Sequence, residues 1–148
     1  LQRLTECYAS CEVENTEEGR FELGDFELQS GETLRGGFLC YETHGSLNSE
    51  KSNVIVYPTW YAGAHEDHRG LIGEGRALDP AEYFIVVPDQ FCNGRSSSPS
   101  NTPPPQDRSR FPLITPYDNV TAQHRLLTEF FRIEKTKMLA WFRNPVFD

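Results

Sequence analysis

Two short apolar runs constrain this chain more than any other feature. They are Asn53-Val54-Ile55-Val56-Tyr57-Pro58 and Ala81-Glu82-Tyr83-Phe84-Ile85-Val86-Val87-Pro88. Both are rich in β-branched residues, and their centres show no polar alternation. A strand with one wet face alternates apolar and polar side chains, whereas a strand covered on both faces does not. Strands of the second kind belong to parallel sheets, and two parallel neighbours need a crossover between them. Residues 70–79, between the runs, are compatible with a short helix and turn, so the pattern predicts a βαβ unit.

The flanking sequence extends this α/β reading. Phe21-Glu22-Leu23-Gly24-Asp25-Phe26-Glu27-Leu28 alternates apolar and polar residues, as a half-buried strand does. Gln29-Ser30-Gly31-Glu32 is a turn signal, and residues 33–43 read as a second strand, which makes an N-terminal hairpin. Gly36-Gly37 predicts a bulge or a close backbone approach within it. Residues 93–110 are rich in Ser, Pro, Asn and Arg, and Pro103-Pro104-Pro105 forbids regular helix or central strand there. Thr115-Pro116-Tyr117-Asp118 opens a helix, with Thr115 as N-cap. Val120, Gln123, Leu126, Leu127, Phe130 and Phe131 follow as its expected inner face. Residues 136–141 form a third candidate buried strand. Residues 1–18, with five glutamates and few large apolar side chains, read as an acidic arm.

Composition excludes some function classes. The net charge is −8, from 22 acidic and 14 basic residues with no Lys/Arg cluster. That argues against nucleic-acid binding and against an electrostatic membrane anchor. The N-terminus has no basic-then-apolar pattern, and no apolar run reaches the roughly 20 residues needed to span a bilayer. Cytoplasmic localisation is the expectation. The cysteines, Cys7, Cys11, Cys40 and Cys92, lack metal-ligand spacing and read as free thiols. Asn119-Val120-Thr121 fits a glycosylation sequon, which would matter only in a secreted protein.

Three segments resemble one family. Leu39-Cys40-Tyr41-Glu42-Thr43-His44-Gly45-Ser46-Leu47-Asn48 is similar to the A-Y-E-T-Y-G-x-L-N stretch of homoserine O-acetyltransferases and related α/β-hydrolase-fold acyltransferases. Leu71-Ile72-Gly73-Glu74-Gly75-Arg76-Ala77-Leu78-Asp79-Pro80, with the strand after it, resembles their I-G-P-G-K-A-L-D turn. Asn93-Gly94-Arg95-Ser96-Ser97-Ser98-Pro99-Ser100-Asn101 is similar to their Gly/Ser-rich loop, and the match continues through Asp118-Asn119-Val120-Thr121-Ala122-Gln123-His124. Together these segments span residues 19–135.

The resemblance implies an α/β-hydrolase fold, with the hairpin leading into a mostly parallel sheet. It implies acyl transfer from acyl-CoA to a hydroxyl through a Ser-His-Asp triad. Acyl-CoA would be a co-substrate, with no resident cofactor. In that family the nucleophile sits in a Gly-x-Ser-x-Gly elbow after the strand read at residues 136–141. Here Phe142-Arg143-Asn144-Pro145-Val146-Phe147-Asp148 follows, with no serine or glycine. The expectation is therefore a partial hydrolase domain over residues 19–141 and a divergent tail over 142–148. It would be a truncated family member with no catalytic residue of its own and no activity alone. The alternatives are an ester hydrolase of the same fold, or a non-catalytic binding protein that uses half the fold. The small-molecule substrate belongs to the intact family. An exposed sheet edge at residues 136–141 would favour self-association.

One catalytic element falls inside the match. The loop after the third strand supplies an oxyanion-hole N–H in this fold, which by position makes Thr59 or Trp60 the donor. The family's loop reads closer to A-L-T-G, so Trp60-Tyr61 departs from it. His65 and His68 have spacing that can share a helix face, but their polar context reads as a solvated loop rather than a metal site. His44 and His124 read as structural or surface histidines. Glu42 and Asp89 are carboxylates at strand ends, which read as loop-edge caps, with a buried hydrogen-bond network as the alternative. Ser96-Ser97-Ser98 lacks the strand–turn–helix context of a nucleophile.

Overall fold

The computed structural model describes residues 15–139. Cys7, Cys11, residues 1–14 of the acidic arm, Ala140, Trp141 and the tail lie outside the described residues. The described part forms one sheet, in the order β1-β2-β4-β3-β5. Strands β1 (Thr16–Glu27) and β2 (Thr33–His44) form the antiparallel hairpin. Strand β1 begins inside the segment read as an arm. The register slips on both sides of the Gly24–Gly37 pair, where the sequence predicts a bulge.

Strands β3 (Val54–Val56) and β4 (Phe84–Pro88) pair in parallel, with Ile55 opposite Ile85. Their side chains divide cleanly between the two faces of the sheet. Val54, Val56, Phe84 and Val86 join Leu39, Ala122 and Leu126 in the larger core. Ile55, Tyr57, Ile85 and Val87 meet Ile72 and Leu78 in a smaller one. One face is therefore covered by the helix α1 (Pro116–Arg125), and the other by the crossover. This explains why neither run alternates.

The crossover differs from expectation. Its helical part is a 3-10 turn at His65–Leu71, which overlaps the predicted segment only at its first two residues, and residues 72–78 run as an irregular loop closed by an Ile72–Leu78 bridge. Gly73 and Gly75 weaken any helix there. Helix α1 has its predicted cap: Thr115 accepts from the Asp118 N–H, and Asp118 answers through the Thr115 N–H, 2.7 Å away. Its inner face is rotated from the expected one. Asn119, Ala122, Gln123 and Leu126 are buried, whereas Val120 and Phe130 are about half exposed. Leu126–Phe130 widens into a π-turn, which moves the register that a 3.6-residue period assumes.

The third expected strand is short among the described residues. Strand β5 (Met138–Leu139) pairs in parallel with β3, and Met138 and Leu139 are exposed rather than buried.

The Ser-rich loop completes the sheet where β4 ends. Strand β4 pairs with only residues 41–44 of β2. Beyond it, the Asp89 N–H donates to the Cys40 carbonyl and the Ser97 N–H to the Phe38 carbonyl. The Phe38 and Cys40 N–H groups donate to Ser97 Oγ and Ser96 Oγ, each at 2.9 Å. Gln106 accepts from the Arg35 N–H and donates to the Thr33 carbonyl. The Ser96 and Ser97 hydroxyls thus take the place of a partner strand, while the Ser98 hydroxyl, also buried, donates to the Ser96 carbonyl and accepts from the Gly94 N–H within the loop.

Gly45 ends β2 at φ +77°, and a Cβ there would collide with the Pro80 and Tyr83 carbonyl oxygens. Gly45→Ala should cost at least about 2 kcal/mol, from left-handed strain plus a backbone clash. Urea denaturation of the two proteins measures it; an unchanged midpoint would contradict the packing described.

Candidate active site

In an open parallel sheet, ligands collect outside the carboxyl ends of the strands. Because β3 and β4 are parallel neighbours, the loops leaving them lie side by side. The first carries Thr59 and Trp60; the second carries Asp89, Gln90 and Phe91. Between them and residues 108–116 lies a cleft of about 570 Å³. Trp60, Tyr61, Phe91, Phe111, Leu113 and Ile114 give it largely apolar walls, and Arg108 is the one charged residue among the described residues that line it.

The two candidate oxyanion donors differ in this setting. The Thr59 N–H donates to the Pro88 carbonyl at 3.1 Å, continuing the β3–β4 ladder by one step. The Trp60 N–H has no hydrogen-bond partner among the described residues, and Trp60 lines the cleft. Thr59 itself is buried and bound twice by Gln90. The Gln90 N–H donates to Thr59 Oγ1 at 3.2 Å, and Gln90 Nε2 donates to the Thr59 carbonyl at 2.5 Å.

Asp89 and His65 anchor the far end of the same loop. Asp89 is fully buried, so its charge needs partners. Its Oδ1 accepts from the His65 N–H at 3.0 Å and from Asn93 Nδ2 at 2.9 Å, and Asn93 Nδ2 also donates to the Gly63 carbonyl. His65 Nδ1 lies 2.6 Å from Asp89 Oδ2. Burial alone would lower the His65 pKa, but Asp89, then Glu66 and Glu42, outweigh it and raise it. An Asp–His pair suggests part of a catalytic triad, yet this one faces elsewhere. His65 Nε2 lies 3.6 Å from both Glu18 and Glu66 and has no hydrogen-bond partner among the described residues.

The solvated-loop reading of this segment is thus corrected. His65 and His68 are both buried, because the 3-10 turn folds back under the sheet. They do not share a site. His68 packs against the Tyr57 ring at 4.8 Å and the Trp60 ring at 4.5 Å, and neither of its nitrogens has a hydrogen-bond partner among the described residues. Burial pushes its pKa down, which favours the neutral ring.

Glu42 is also no simple strand-end cap. It is fully buried on β2. Arg69 Nε donates to its Oε1 at 2.8 Å, and the same guanidinium reaches Glu18. Its Oε2 sits 3.2 Å from His44 Nε2, an ion-pair distance without hydrogen-bond alignment. Burial would raise the Glu42 pKa; His44 and Arg69 overcome this and hold it at about 2. The network ties the 3-10 turn to β1 and β2. His44 is buried, with Nδ1 3.2 Å from Thr16 Oγ1, while His124 lies exposed on α1. The sequon residue Asn119 is buried and accepts from the Phe91 N–H, so its amide is occupied in the fold.

Sequence reasoning missed Gln90. Position alone pointed to the loop after β3, but nothing in the sequence marks Gln90 as its partner. That follows only from the parallel register.

These ionisations have opposite consequences for stability. Glu42 is depressed, so its contribution is present above the ordinary value of 4.5 and is lost as pH falls toward about 2. His65 is raised, so its contribution is full below 6.5 and is lost as pH rises through its folded value. Urea midpoints measured across pH should show Glu42→Gln flattening the acid limb and His65→Gln flattening the alkaline one. Parallel curves for variant and parent would refute the assignment.

No protein-family model matches the chain. It is 45% identical over 125 residues to the ethyl acetate hydrolase of Pseudomonas veronii, covering 82% of this chain and 36% of that protein. It is 36% identical over 122 residues to the homoserine O-acetyltransferase of Methanococcoides burtonii, covering 70% and 25%. Among solved structures it resembles the acetyl esterase MekB with a TM-score of 0.80 at 41% identity, over 83% of this chain and 36% of that one. The chain spans about a third of the length of the curated relatives it matches. Among the described residues, no helix is long and apolar enough to cross a membrane.

Proposed function

This chain belongs to the α/β-hydrolase-fold family of homoserine O-acetyltransferases and related esterases, and from that premise we propose that it forms the oxyanion-bearing N-terminal region of a carboxylic-ester hydrolase. The observation that carries the reading is the Trp60 N–H, which has no partner among the described residues and belongs to a residue that lines an apolar cleft at the ends of β3 and β4. In ester hydrolysis a nucleophile attacks the carbonyl carbon, and the carbonyl oxygen becomes an oxyanion. A fixed backbone N–H pointing at that oxygen stabilises the charge as it forms. On this reading the nucleophile and the histidine that serves as its base lie outside residues 15–139. The 148-residue sequence contains no Gly-x-Ser-x-Gly, so this chain alone should not turn over ester.

The cleft's chemistry favours a neutral ester over an amino-acid acceptor. A homoserine-like acceptor carries an ammonium and a carboxylate, and both need partners when desolvated. Among the described residues Arg108 alone offers charge. The similarity to esterases is also stronger, at 45% and 43% identity against 35–39% for the acetyltransferases. Acyl transfer from acyl-CoA is the second reading. It is supported by the acetyltransferase relatives and differs in the donor, a thioester that releases a thiol rather than an ester that releases an alcohol, and in the acceptor, a hydroxyl rather than water.

A chimera tests this. Residues 16–139 would replace the matching third of the Pseudomonas veronii hydrolase, and p-nitrophenyl acetate hydrolysis would be followed. Turnover is expected. Trp60→Pro, which removes the N–H, should cut kcat by about a hundredfold or more, while Trp60→Phe, which keeps it, should leave kcat nearly unchanged. A folded chimera that hydrolyses no ester, or whose Trp60→Pro variant keeps full activity, would remove the esterase reading. Acetyl transfer to homoserine without ester hydrolysis would favour the second.

A further inference from the structure

We propose that Gln90 is a positioning residue for the oxyanion peptide, holding the Thr59–Trp60 peptide group at its carbonyl end so that its N–H end keeps one direction; the role in catalysis rests on the esterase reading above. The argument begins with the peptide itself. The Thr59 carbonyl and the Trp60 N–H are two ends of one planar trans unit, so fixing either end fixes the other. Trp60 lies beyond the last strand pairing of β3, and the next backbone bond in the loop is the turn from the Gly63 N–H back to the Trp60 carbonyl. The ladder therefore ends at the Thr59 N–H, one peptide short of the group that matters. A free peptide at such a place can rotate with little penalty, since φ and ψ on either side are the soft coordinates of the chain.

Gln90 supplies the missing restraint. Its Nε2 donates to the Thr59 carbonyl at 2.5 Å, while its own N–H donates to Thr59 Oγ1. The orientation of the amide is set by this contact, because only the NH2 end can donate to a carbonyl. The clamp closes from the loop that leaves β4 onto the loop that leaves β3, its parallel neighbour, so the pairing of the two strands brings its two halves together. A hydrogen bond received at the carbonyl also polarises the amide and strengthens its N–H as a donor. Restraint and polarisation act in the same direction, toward a preorganised donor. Asp89, His65 and Asn93 hold the loop at Gly63 and His65, and the clamp at Thr59 holds its beginning.

Nuclear magnetic resonance on the isotope-labelled 148-residue chain tests this without any turnover. The expected result in the wild type is a through-hydrogen-bond coupling between Gln90 Nε2 and the Thr59 carbonyl carbon. In Gln90→Met, which keeps the side-chain length and removes the donor, the Thr59 carbonyl and Trp60 amide nitrogen resonances should shift upfield, and the Trp60 amide should broaden as the peptide samples a second orientation. The Thr59 amide, bonded to Pro88, should stay in place. A residue that merely stabilised the loop would move the Thr59, Trp60 and His65 amides together. Absence of the coupling, or a folded Gln90→Met chain in which Trp60 moves no more than Thr59, overturns the proposal. If Gln90→Met does not fold, the wild-type coupling decides alone. The chimera bears on a different claim: its failure with the coupling intact would remove the esterase reading and leave the clamp, whereas loss of the coupling would remove the clamp and leave the esterase reading.

Discussion

Val54, Ile55 and Val56 lie beside Phe84, Ile85 and Val86 in parallel register, and both faces of this pair are apolar. Two faces need two covers. Helix α1 meets one need and the crossover meets the other, which places the 3-10 turn beneath the sheet with His65 and His68 inside. The same parallel direction puts both strand ends at one side of the molecule. The Thr59–Trp60 loop and the Gln90 loop become neighbours for that reason alone, and the cleft lies between them. Turning either strand round would separate Gln90 from Thr59 without altering any residue.

Burying the crossover brings charge inside the fold. Asp89 and Glu42 are fully buried carboxylates at opposite ends of the 3-10 turn. Each would be very costly alone. Asp89 is matched by His65 and Asn93, and Glu42 by Arg69 and His44. The two groups meet around Glu18, which touches both Arg69 and His65. The half-exposed Arg95 joins the same side through its ion pair with Glu66. A polar network of this size does little for net stability, because desolvation offsets much of the attraction. It does specify position, since each oxygen accepts only from where its donor stands.

The sequence was most legible where hydrophobic pattern alone decides structure. The hairpin, the two buried strands and the Thr115 cap each follow from local residues. The family was legible because several ordered segments matched together. Legibility failed where partners come from far along the chain. His65 and His68 look like surface residues in a polar stretch and Glu42 like a strand-end cap, and only the fold shows what covers them. The end of the helical face was misjudged because the π-turn at Leu126–Phe130 breaks the assumed period, whereas at Val120 an apolar side chain faces out while its polar neighbour Asn119 faces in. Gln90 gave no signal at all, since its importance depends on the register between β3 and β4. At the loop after β3, position named two candidate donors, and the backbone ladder engages the Thr59 N–H but not that of Trp60.

Residue 60 contributes to the cleft in two separate ways. Its side chain is part of the wall, against His68, while its backbone presents the N–H. Gln90 grips the preceding carbonyl, which every residue type possesses. The side chain at this position is therefore free to drift in size and shape without disturbing the donor. On the proposed esterase reading, a lineage could exchange Trp60 for a smaller residue, admit bulkier acyl groups, and keep the same electrostatics. Substrate range and rate acceleration would then be inherited separately, even though they share one amino acid.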